Sequence, residues 1–394
     1  MRPRTVTEHV KWIGSIDWDR RLFDELIPLP DGTSYNSYLV TGSDKTALMD
    51  TVDPTKTSEL GSMLDSAGIT RLDYIVVNHA EQDHSGSLPY VLDRYPESAV
   101  LCTPRAKRML IDLLHIDEGR VQTVDDGDTV SLGDINLEFI HAAWVHWPET
   151  MLTYLREQHV LFSCDLFGSH LATSDLFAPV SSRMYGAAKR YYAEIMMPFH
   201  TNIAKHLDRL AEYDIEIIAP SHGPLYDDPA AILEVYRQWV VGPPANKVVI
   251  PYVSMHGSTQ MLVDRLVSTL ADLDIAAVPH GLSSGDIGRL AMELVDAATI
   301  VLGTPMVLAG AHPAVVYVAF LANALRPKAR FASVIGSFGW GGRAVEQLTG
   351  LIPNLNVELL EPVVVKGLPR GAELEAIDGL AHRIAEKHHE AGLL

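Results

Sequence analysis

His79, Glu81, Asp83 and His84 fall within six consecutive residues of the stretch Asn78-His-Ala-Glu-Gln-Asp-His-Ser-Gly-Ser87. The apolar run Tyr74-Ile-Val-Val77 leads directly into it. Such a run, rich in β-branched residues, predicts a buried strand, so the polar cluster sits where a strand ends and the chain turns. In a tight turn, alternate side chains such as His79, Glu81 and Asp83 converge on one point. Two carboxylates held so close repel unless positive charge lies between them, which is the demand a metal ion meets. The competing reading is a solvated polar loop, the ordinary fate of a short His/Asp cluster.

Three later positions supply matching ligand types. His146 lies in Val145-His-Trp-Pro-Glu-Thr150, where Pro148 stiffens the loop and lets an imidazole be presented at little entropic cost. Taken alone it reads equally as a packed histidine beside an aromatic ring. Asp165 closes the apolar run Val160-Leu-Phe-Ser-Cys and precedes a turn at Gly168. A carboxylate there is costly unless it is paired or liganded. His222 follows Ile217-Ile-Ala-Pro-Ser and is held between proline and glycine. His141, inside an apparent strand, reads as structural, and Cys164 as a small core residue.

The chain has 394 residues, 47% hydrophobic and 21% charged, enough for two or three ordinary domains. Its net charge is −19 with no Lys/Arg-rich stretch, which argues against nucleic acid as a partner. Two cysteines, Cys102 and Cys164, form no C-x-x-C pair, so neither a disulfide scaffold nor a built-in rubredoxin or iron–sulfur module is expected. Residues 1–25 lack an apolar signal core, and no window reaches the length of a membrane span. No membrane role is expected, and a cytoplasmic location is.

The elements that must position these residues alternate in short strands and helices. Pro30-Asp-Gly32 marks a turn, Tyr35–Val40 and Ala47–Asp50 read as strands, and residues 56–67 as a helix. After the polar loop come a helix near 87–94, a strand at Ala99–Cys102, a helix over 104–114, and strands near 129–132, 135–141 and 151–156. A helix is expected over 187–194, with Tyr191 and Tyr192 on it, and another over 230–240. Val241-Gly-Pro-Pro-Ala245 then reads as a stiff linker. The sequence therefore divides into domains 1–245 and 246–394.

Beyond the linker, strand and helix alternate regularly. Lys247–Val253 reads as a strand, followed by Ser254, Met255, His256, Gly257, Ser258 and Thr259 and a helix near 260–272. Small hydroxyl-bearing residues between a strand and a helix N-terminus form an anion cradle, because free backbone N–H groups and the helix dipole hold phosphate there. Neither a Walker lysine nor G-x-G-x-x-G is present, so nucleoside triphosphate and NAD are not indicated. The loop resembles the phosphate loop of flavodoxins, which bind FMN. Two more strands, from Ala298 and from Phe331, end in further loops. One carries Thr304, Pro305, Met306, Val307, Ala309 and Gly310, the other Ser337, Phe338, Gly339, Trp340, Gly341 and Gly342. In a doubly wound sheet all three loops emerge at one carboxyl edge, where a ligand sits at the switch point. Phe338 and Trp340 can lie flat against an isoalloxazine ring while the glycines admit the backbone. Val357–Val365 and residues 371–388 supply the last strand and closing helix.

The loop at 79–84 resembles the metallo-β-lactamase superfamily hallmark His-x-His-x-Asp-His, with Glu81 in place of the second histidine. A carboxylate there makes the ligand set harder and more anionic, which suits iron better than zinc. His-x-Glu-x-Asp-His is the pattern of the flavodiiron proteins, and the chain resembles them along its whole length. The loop holding His146 is similar to their His-Trp-Pro-Asp. The resemblance implies an N-terminal metallo-β-lactamase-like αββα sandwich and a C-terminal flavodoxin-like doubly wound sheet, an α/β protein throughout. By family analogy His79, Glu81 and His146 bind one iron; Asp83, His84 and His222 bind the other; Asp165 bridges. Tyr191 or Tyr192 would stand near bound oxygen or serve packing, and His170 and His200 near the pocket mouth. The family usually carries a polar residue after its Thr-Pro or Ser-Pro pair, where this chain has Met306 and Val307, so different contacts to the flavin ring are expected.

The implied activity is reduction of dioxygen to water, nitric oxide to nitrous oxide, or both, at a non-haem diiron site fed by FMN. Electrons would come from a separate rubredoxin-like protein or a reduced deazaflavin, and the working unit would be a head-to-tail homodimer or a dimer of dimers. Two other classes compete. A zinc hydrolase of lactamase fold is disfavoured by Glu81 and by the flavin-like half. A flavodoxin-type electron carrier with an inactive first domain is disfavoured by the complete ligand set.

Overall fold

The computed structural model describes residues 2–178 and 181–394. It forms two compact units, Met1–Val240 and Val241–Leu394. The strand that opens the second unit starts at Ala245, which already pairs with Ala297.

The first unit stacks two sheets. One has seven strands, running in space from Arg4–Thr5 through Val10–Trp12, Tyr38–Thr41, Thr46–Met49, Tyr74–Val76 and Ala99–Cys102 to Val121–Thr123. The other has five, from Thr129–Ser131 through Asn136–His141, Met151–Leu155 and Val160–Cys164 to Ile217–Pro220. Val40, Leu48, Ile75 and Val100 of one sheet share a buried core with Leu137, Phe139 and Phe162 of the other. Apolar burial between the sheets is the main favourable term holding them together. Helices Thr57–Ala67, Leu88–Arg94 and Pro104–Leu114 connect strands of the first sheet. Thr103 caps the last of these by accepting from the Ala106 N–H at 3.1 Å, with Pro104 at the first helical position.

The expected strand over 35–40 is broken in two. Thr33–Tyr35 pairs with Ser15–Asp17, whereas Tyr38–Thr41 joins the seven-stranded sheet. Asn36 occupies the break because its amide is needed elsewhere. It donates to the carbonyls of Pro220 at 2.8 Å and Gly223 at 2.7 Å, and it accepts from Trp12 Nε1 at 2.9 Å. These bonds clamp the loop that carries His222.

The helix expected over 187–194 begins earlier, at Ser182, and becomes a π turn over Tyr192–Met196. Such turns shift the side-chain register by one residue and occur often at functional sites.

The second unit has a parallel sheet ordered Ala276–Gly281, Ala245–Tyr252, Ala297–Val307, Phe331–Phe338, with Glu358–Leu359 and Val363–Lys366 both pairing with the last. Alternate residues of one strand serve opposite cores: Val249 packs with Leu290 and Val315, Val248 and Ile250 with Leu266 and Ile384. That is the doubly wound arrangement. The single last strand expected over 357–365 is interrupted at Glu361-Pro362; proline lacks the N–H a ladder needs. The strand from Ala297 runs two residues past its expected end at Pro305, through Val307, and the strand from Phe331 three past Ile335, through Phe338. Among the described residues no helix is long and apolar enough to cross a membrane.

Candidate metal centre and cofactor cradle

Each candidate ligand projects from a strand end or from the turn that follows one. The strand Tyr74–Val76 delivers the 79–84 loop, and Asp50 anchors it by accepting from the Asn78 backbone N–H at 2.7 Å and its side-chain amide at 2.9 Å. Thr153 closes the arrangement by donating to Asn78 Oδ1 at 2.8 Å. Val160–Cys164 delivers Asp165, and Ile217–Pro220 delivers His222.

The structure brings all seven together in two groups that share one residue. In the first, His79 Nε2 lies 3.0 Å from Glu81 Oε2 and 3.6 Å from Asp165 Oδ2, while His146 Nε2 lies 3.1 Å and 3.6 Å from the same two oxygens. In the second, His84 Nε2 lies 3.3 Å from Asp83 Oδ2 and 3.2 Å from Asp165 Oδ1. His222 Nε2 lies 3.0 Å and 3.4 Å from those atoms. Asp165 thus turns one oxygen to each group. Two donors about 2.1 Å from one ion stand about 3.0 Å apart at a right angle and about 3.4 Å apart at a tetrahedral angle. The observed separations match ligands of a shared ion.

Polar bookkeeping agrees with this. Both Asp83 carboxylate oxygens, His84 Nε2 and Asp165 Oδ2 are buried without a hydrogen-bond partner among the described residues. Buried polar atoms are rarely left so, and a cation satisfies all of them at once. The charges support one another too. Burial pulls the His84 imidazole down, but the Asp165 and Asp83 carboxylates overcome this and hold it at about 10. Burial likewise pushes Asp165 up, and His84, His146 and His79 reverse the effect, keeping it well below the usual carboxylate range. A site this rich in facing carboxylates and imidazoles can hold two divalent or trivalent cations.

Supporting residues fix the ligands. His79 Nδ1–H donates to Glu149 Oε1 at 2.7 Å, and His222 Nδ1–H donates to the Ser34 carbonyl at 2.7 Å, so both rings present Nε2 inward. No role for Glu149 was expected, although a carboxylate three residues after His146 in a proline-stiffened loop was the available signal. The two tyrosines separate. Tyr191 donates to Asp165 Oδ1 at 2.7 Å. Tyr192 instead donates to the Trp239 carbonyl at 3.2 Å and packs on Tyr236 and Trp239, so its expected place beside the centre is corrected to packing. The π turn accounts for the split, since it begins between them. His170 is not at the mouth. It is buried, bonded through Nδ1 to Thr33 Oγ1 at 2.9 Å, with its ring 5.0 Å from that of His222. His200 bonds the Met197 carbonyl at 3.1 Å and serves its own helix start. His141 contacts the Val124 carbonyl at 3.1 Å, consistent with a structural role.

A cavity of about 450 Å³ leads to the centre, lined by Arg20, Phe23, Asp24, Glu81, Asp83 and Trp147. Asp24 caps the hairpin of Leu22–Phe23 and Ile27–Pro28. Burial, with Glu81 and Asp83 nearby, pushes its carboxyl up to about 6.

In the second unit, the loop from Ser254 ends at Gly257 in the left-handed region at φ +89°, and the helix starts at Ser258. Ser254 Oγ accepts from the Gln260 N–H at 3.1 Å. The buried Thr259 hydroxyl has no partner, the orphan donor a phosphate would engage. Thr304 differs from expectation: its hydroxyl accepts from the His312 N–H at 2.9 Å and donates to the Pro305 carbonyl at 2.8 Å, so it holds its own loop. Met306 and Val307 continue the strand into a hairpin with Gly310–Ala311. Its tip, Leu308 and Ala309, has φ +54° and +62°, strain of about 1–2 kcal/mol per residue for side chains with a Cβ. Leu308 and Trp340 are 87% and 80% exposed, unusual for large apolar side chains outside a binding surface.

Comparison with known proteins completes the description. Residues 33–223 match a family described as "ODP family beta lactamase". The chain is 36% identical to "Nitric oxide reductase" of Moorella thermoacetica, over 98% of this chain and 99% of the relative. It superposes on the rubredoxin oxygen:oxidoreductase of Desulfovibrio gigas with a TM-score of 0.92 at 29% identity, covering 98% of each chain. The flavodiiron protein of Giardia intestinalis gives a TM-score of 0.89 at 26% identity, again covering 98% of each.

Proposed function

The chain belongs to the flavodiiron proteins, and from that premise we propose that it reduces dioxygen to water, nitric oxide to nitrous oxide, or both, at two non-haem irons reloaded by FMN. One observation carries the reading: Asp165 offers Oδ2 to the His79/Glu81/His146 group and Oδ1 to the Asp83/His84/His222 group. A carboxylate bridging two three-ligand groups is a two-metal design, and three carboxylates among seven ligands favour iron over zinc.

When bound, a ferrous pair supplies electrons to a diatomic gas, and FMN converts donor electrons into single-electron transfers. The chain's own residues do the rest. Glu149 and Ser34 fix the tautomers and orientation of His79 and His222. Tyr191 hydrogen-bonds the bridging carboxylate and limits its basicity. Phe23 and Trp147 restrict the approach to small gases, and burial of the ligands keeps bulk water away. In the second unit the helix N-terminus at Ser258, with the Thr259 hydroxyl, would hold the flavin phosphate. Contacts from the 306–310 and 337–342 loops would hold the ring.

The electron donor is a separate rubredoxin-like protein or a reduced deazaflavin, and the working unit is a head-to-tail pair of chains in a cytoplasmic enzyme. The first half of the donor reading is supported by the name of the Desulfovibrio relative.

Metal and flavin analysis of the purified chain tests the proposal. About two irons and one FMN per chain, with consumption of either gas by the reduced protein, is the expected result. Zinc at full occupancy without flavin or iron would instead indicate a hydrolase.

A further inference from the structure

Metal ions would satisfy the orphaned atoms of Asp83, His84 and Asp165, but other buried polar atoms close by are not ligands and have no hydrogen-bond partner among the described residues: Ser169 Oγ, His170 Nε2 and the Tyr236 hydroxyl. Orphans this concentrated beside one site call for ordered water, which typically makes about three hydrogen bonds to such groups. None of the three lines the gas cavity. Phe23 lines that cavity, yet its ring packs against His170 at 5.2 Å and His222 at 6.2 Å, so it screens His170 from the mouth.

Tyr226, a neighbour of Ser169, reaches the surface. Ser169 is fully buried and lies close to the Tyr226 phenol. Tyr226 donates to the Phe167 carbonyl at 2.9 Å, while Tyr236 stacks edge-on against Phe167 at 4.8 Å. Tyr226 also floors a shallow surface depression with Tyr185 and the exposed Asp227 and Asp228. At the inner end, Thr33 fixes the tautomer of His170. The Thr33 hydroxyl donates to the Ser34 carbonyl at 3.3 Å and so accepts from His170 Nδ1–H at 2.9 Å. Nε2 is left as a lone-pair acceptor beside Tyr191, whose ring centroid is 4.8 Å away and whose hydroxyl reaches Asp165.

We propose that ordered waters join these groups into a proton route from the Asp227/Asp228 depression through Tyr226 and Ser169 to Tyr191, with His170 holding the last water in place. Resting on the gas-reductase reading, the route answers a need of that chemistry. Each dioxygen takes four protons with its four electrons to give two waters, and each pair of nitric oxide molecules takes two protons with two electrons to give nitrous oxide and water. A hydroxyl relay balances at every step: it accepts a proton on its oxygen and passes its own onward, and the last proton leaves Tyr191 for an oxygen of the gas being reduced, after which the next proton restores the tyrosine. His170 gains and loses none; it is a positioning residue.

The test compares the wild-type chain with Ser169→Ala, Tyr226→Phe and the double variant, each loaded with iron and FMN. Gas consumption is followed in water and in heavy water, and the wild-type crystal structure is inspected for water at Ser169 Oγ and His170 Nε2. Ser169→Ala and Tyr226→Phe are each expected to slow turnover on the order of tenfold and enlarge the solvent isotope effect, with iron and FMN content unchanged. Because the two act in series, the double variant is expected to be no slower than the slower single. Unchanged rates, multiplicative losses with an unaltered isotope effect, or absence of water at both atoms would each overturn the route. If Tyr226→Phe fails to fold, Ser169→Ala and the crystal waters decide alone. A wild-type chain inert toward both gases overturns the functional reading and the route with it, an outcome distinct from an active enzyme whose variants are unaffected.

Discussion

Glu149 accepts from His79 Nδ1–H at 2.7 Å and from the Ala80 backbone N–H at 3.0 Å, so one carboxylate fixes both the ring and the turn of the first ligand. It comes from the loop that also carries His146, and therefore couples two ligands of the same group. Glu149→Gln keeps the shape but removes the charge that favours Nδ1–H. That variant is expected to bind iron about 10–100-fold more weakly at one position, with the second less affected. Titration of the iron-stripped variant with ferrous ion, read by optical and Mössbauer spectra, checks this; two equally weakened positions would contradict the pairing of Glu149 with the His79 group.

Iron removal should expose a pH dependence that the loaded protein lacks. His84 is held at about 10 in the folded chain, above the value of about 6.5 expected when unfolded, and His79 and His146 are also raised. For groups raised by folding, the stabilisation is complete below about pH 6.5 and is lost as pH rises through the folded value. The iron-stripped protein is therefore expected to lose melting temperature steadily from about pH 7 to about pH 10. Across the same window iron should bind more tightly as it displaces protons from imidazole. Melting curves of stripped and loaded protein at matched pH decide; a stripped protein whose melting point climbs over this range would reverse the sign.

The two neighbouring tyrosines give a sharper contrast than the sequence allowed. Tyr191→Phe removes the hydroxyl bonded to Asp165 and is expected to alter the spectrum of the loaded diiron site while costing roughly 1–3 kcal/mol of stability. Tyr192→Phe touches only the Trp239 carbonyl and should leave the spectrum unchanged. Equal spectral effects from both would refute the separation.

The ligand loop was legible because strand, turn and ligand chemistry coincide within one short stretch, and the seven positions converge as the spacing and the resemblance imply. The kink at Asn36 was not, because its cause lies in hydrogen bonds to Pro220 and Gly223, far away in sequence. Glu149 escaped notice for a related reason: its meaning lies in the partner, His79, not in its neighbours. The strand from Phe331 was underestimated where the polar Ser337 stays buried in the parallel sheet. Periodicity reads faces well, but it does not see which polar side chains the sheet itself will satisfy.

Thr259 tests the cofactor cradle. Its buried hydroxyl has no partner among the described residues, so Thr259→Val should not destabilise the flavin-free unit. FMN retention is nevertheless expected to fall about tenfold, the loss of one good hydrogen bond to a charged group. Equilibrium dialysis with FMN, set beside the melting point of the flavin-free protein, distinguishes this from general damage; unchanged FMN affinity would move the phosphate elsewhere.

The last expectation concerns how electrons reach iron. The second unit exposes Leu308 and Trp340 on the loops assigned to the flavin ring, and the first exposes Leu26 on the hairpin that bears Asp24 and Leu113 at the cavity rim. Apolar patches on each unit suit a self-complementary contact between two chains, because a two-fold axis sets each first unit against its partner's second. From its composition, Gly242-Pro243-Pro244 is expected to be a stiff linker. If electrons pass between chains, two inactive variants should rescue each other. His146→Ala removes an iron ligand, and Thr259→Glu places a negative charge where the FMN phosphate binds. Mixed under conditions that allow chains to exchange, they form some pairs in which one intact iron site faces one intact flavin cradle. Gas reduction is then expected to return to about a quarter of the wild-type rate if half the pairs are mixed and each restores one site of two. Native mass spectrometry confirms the mixed species. Mixed pairs that are verified yet inactive would mean that transfer runs within a chain.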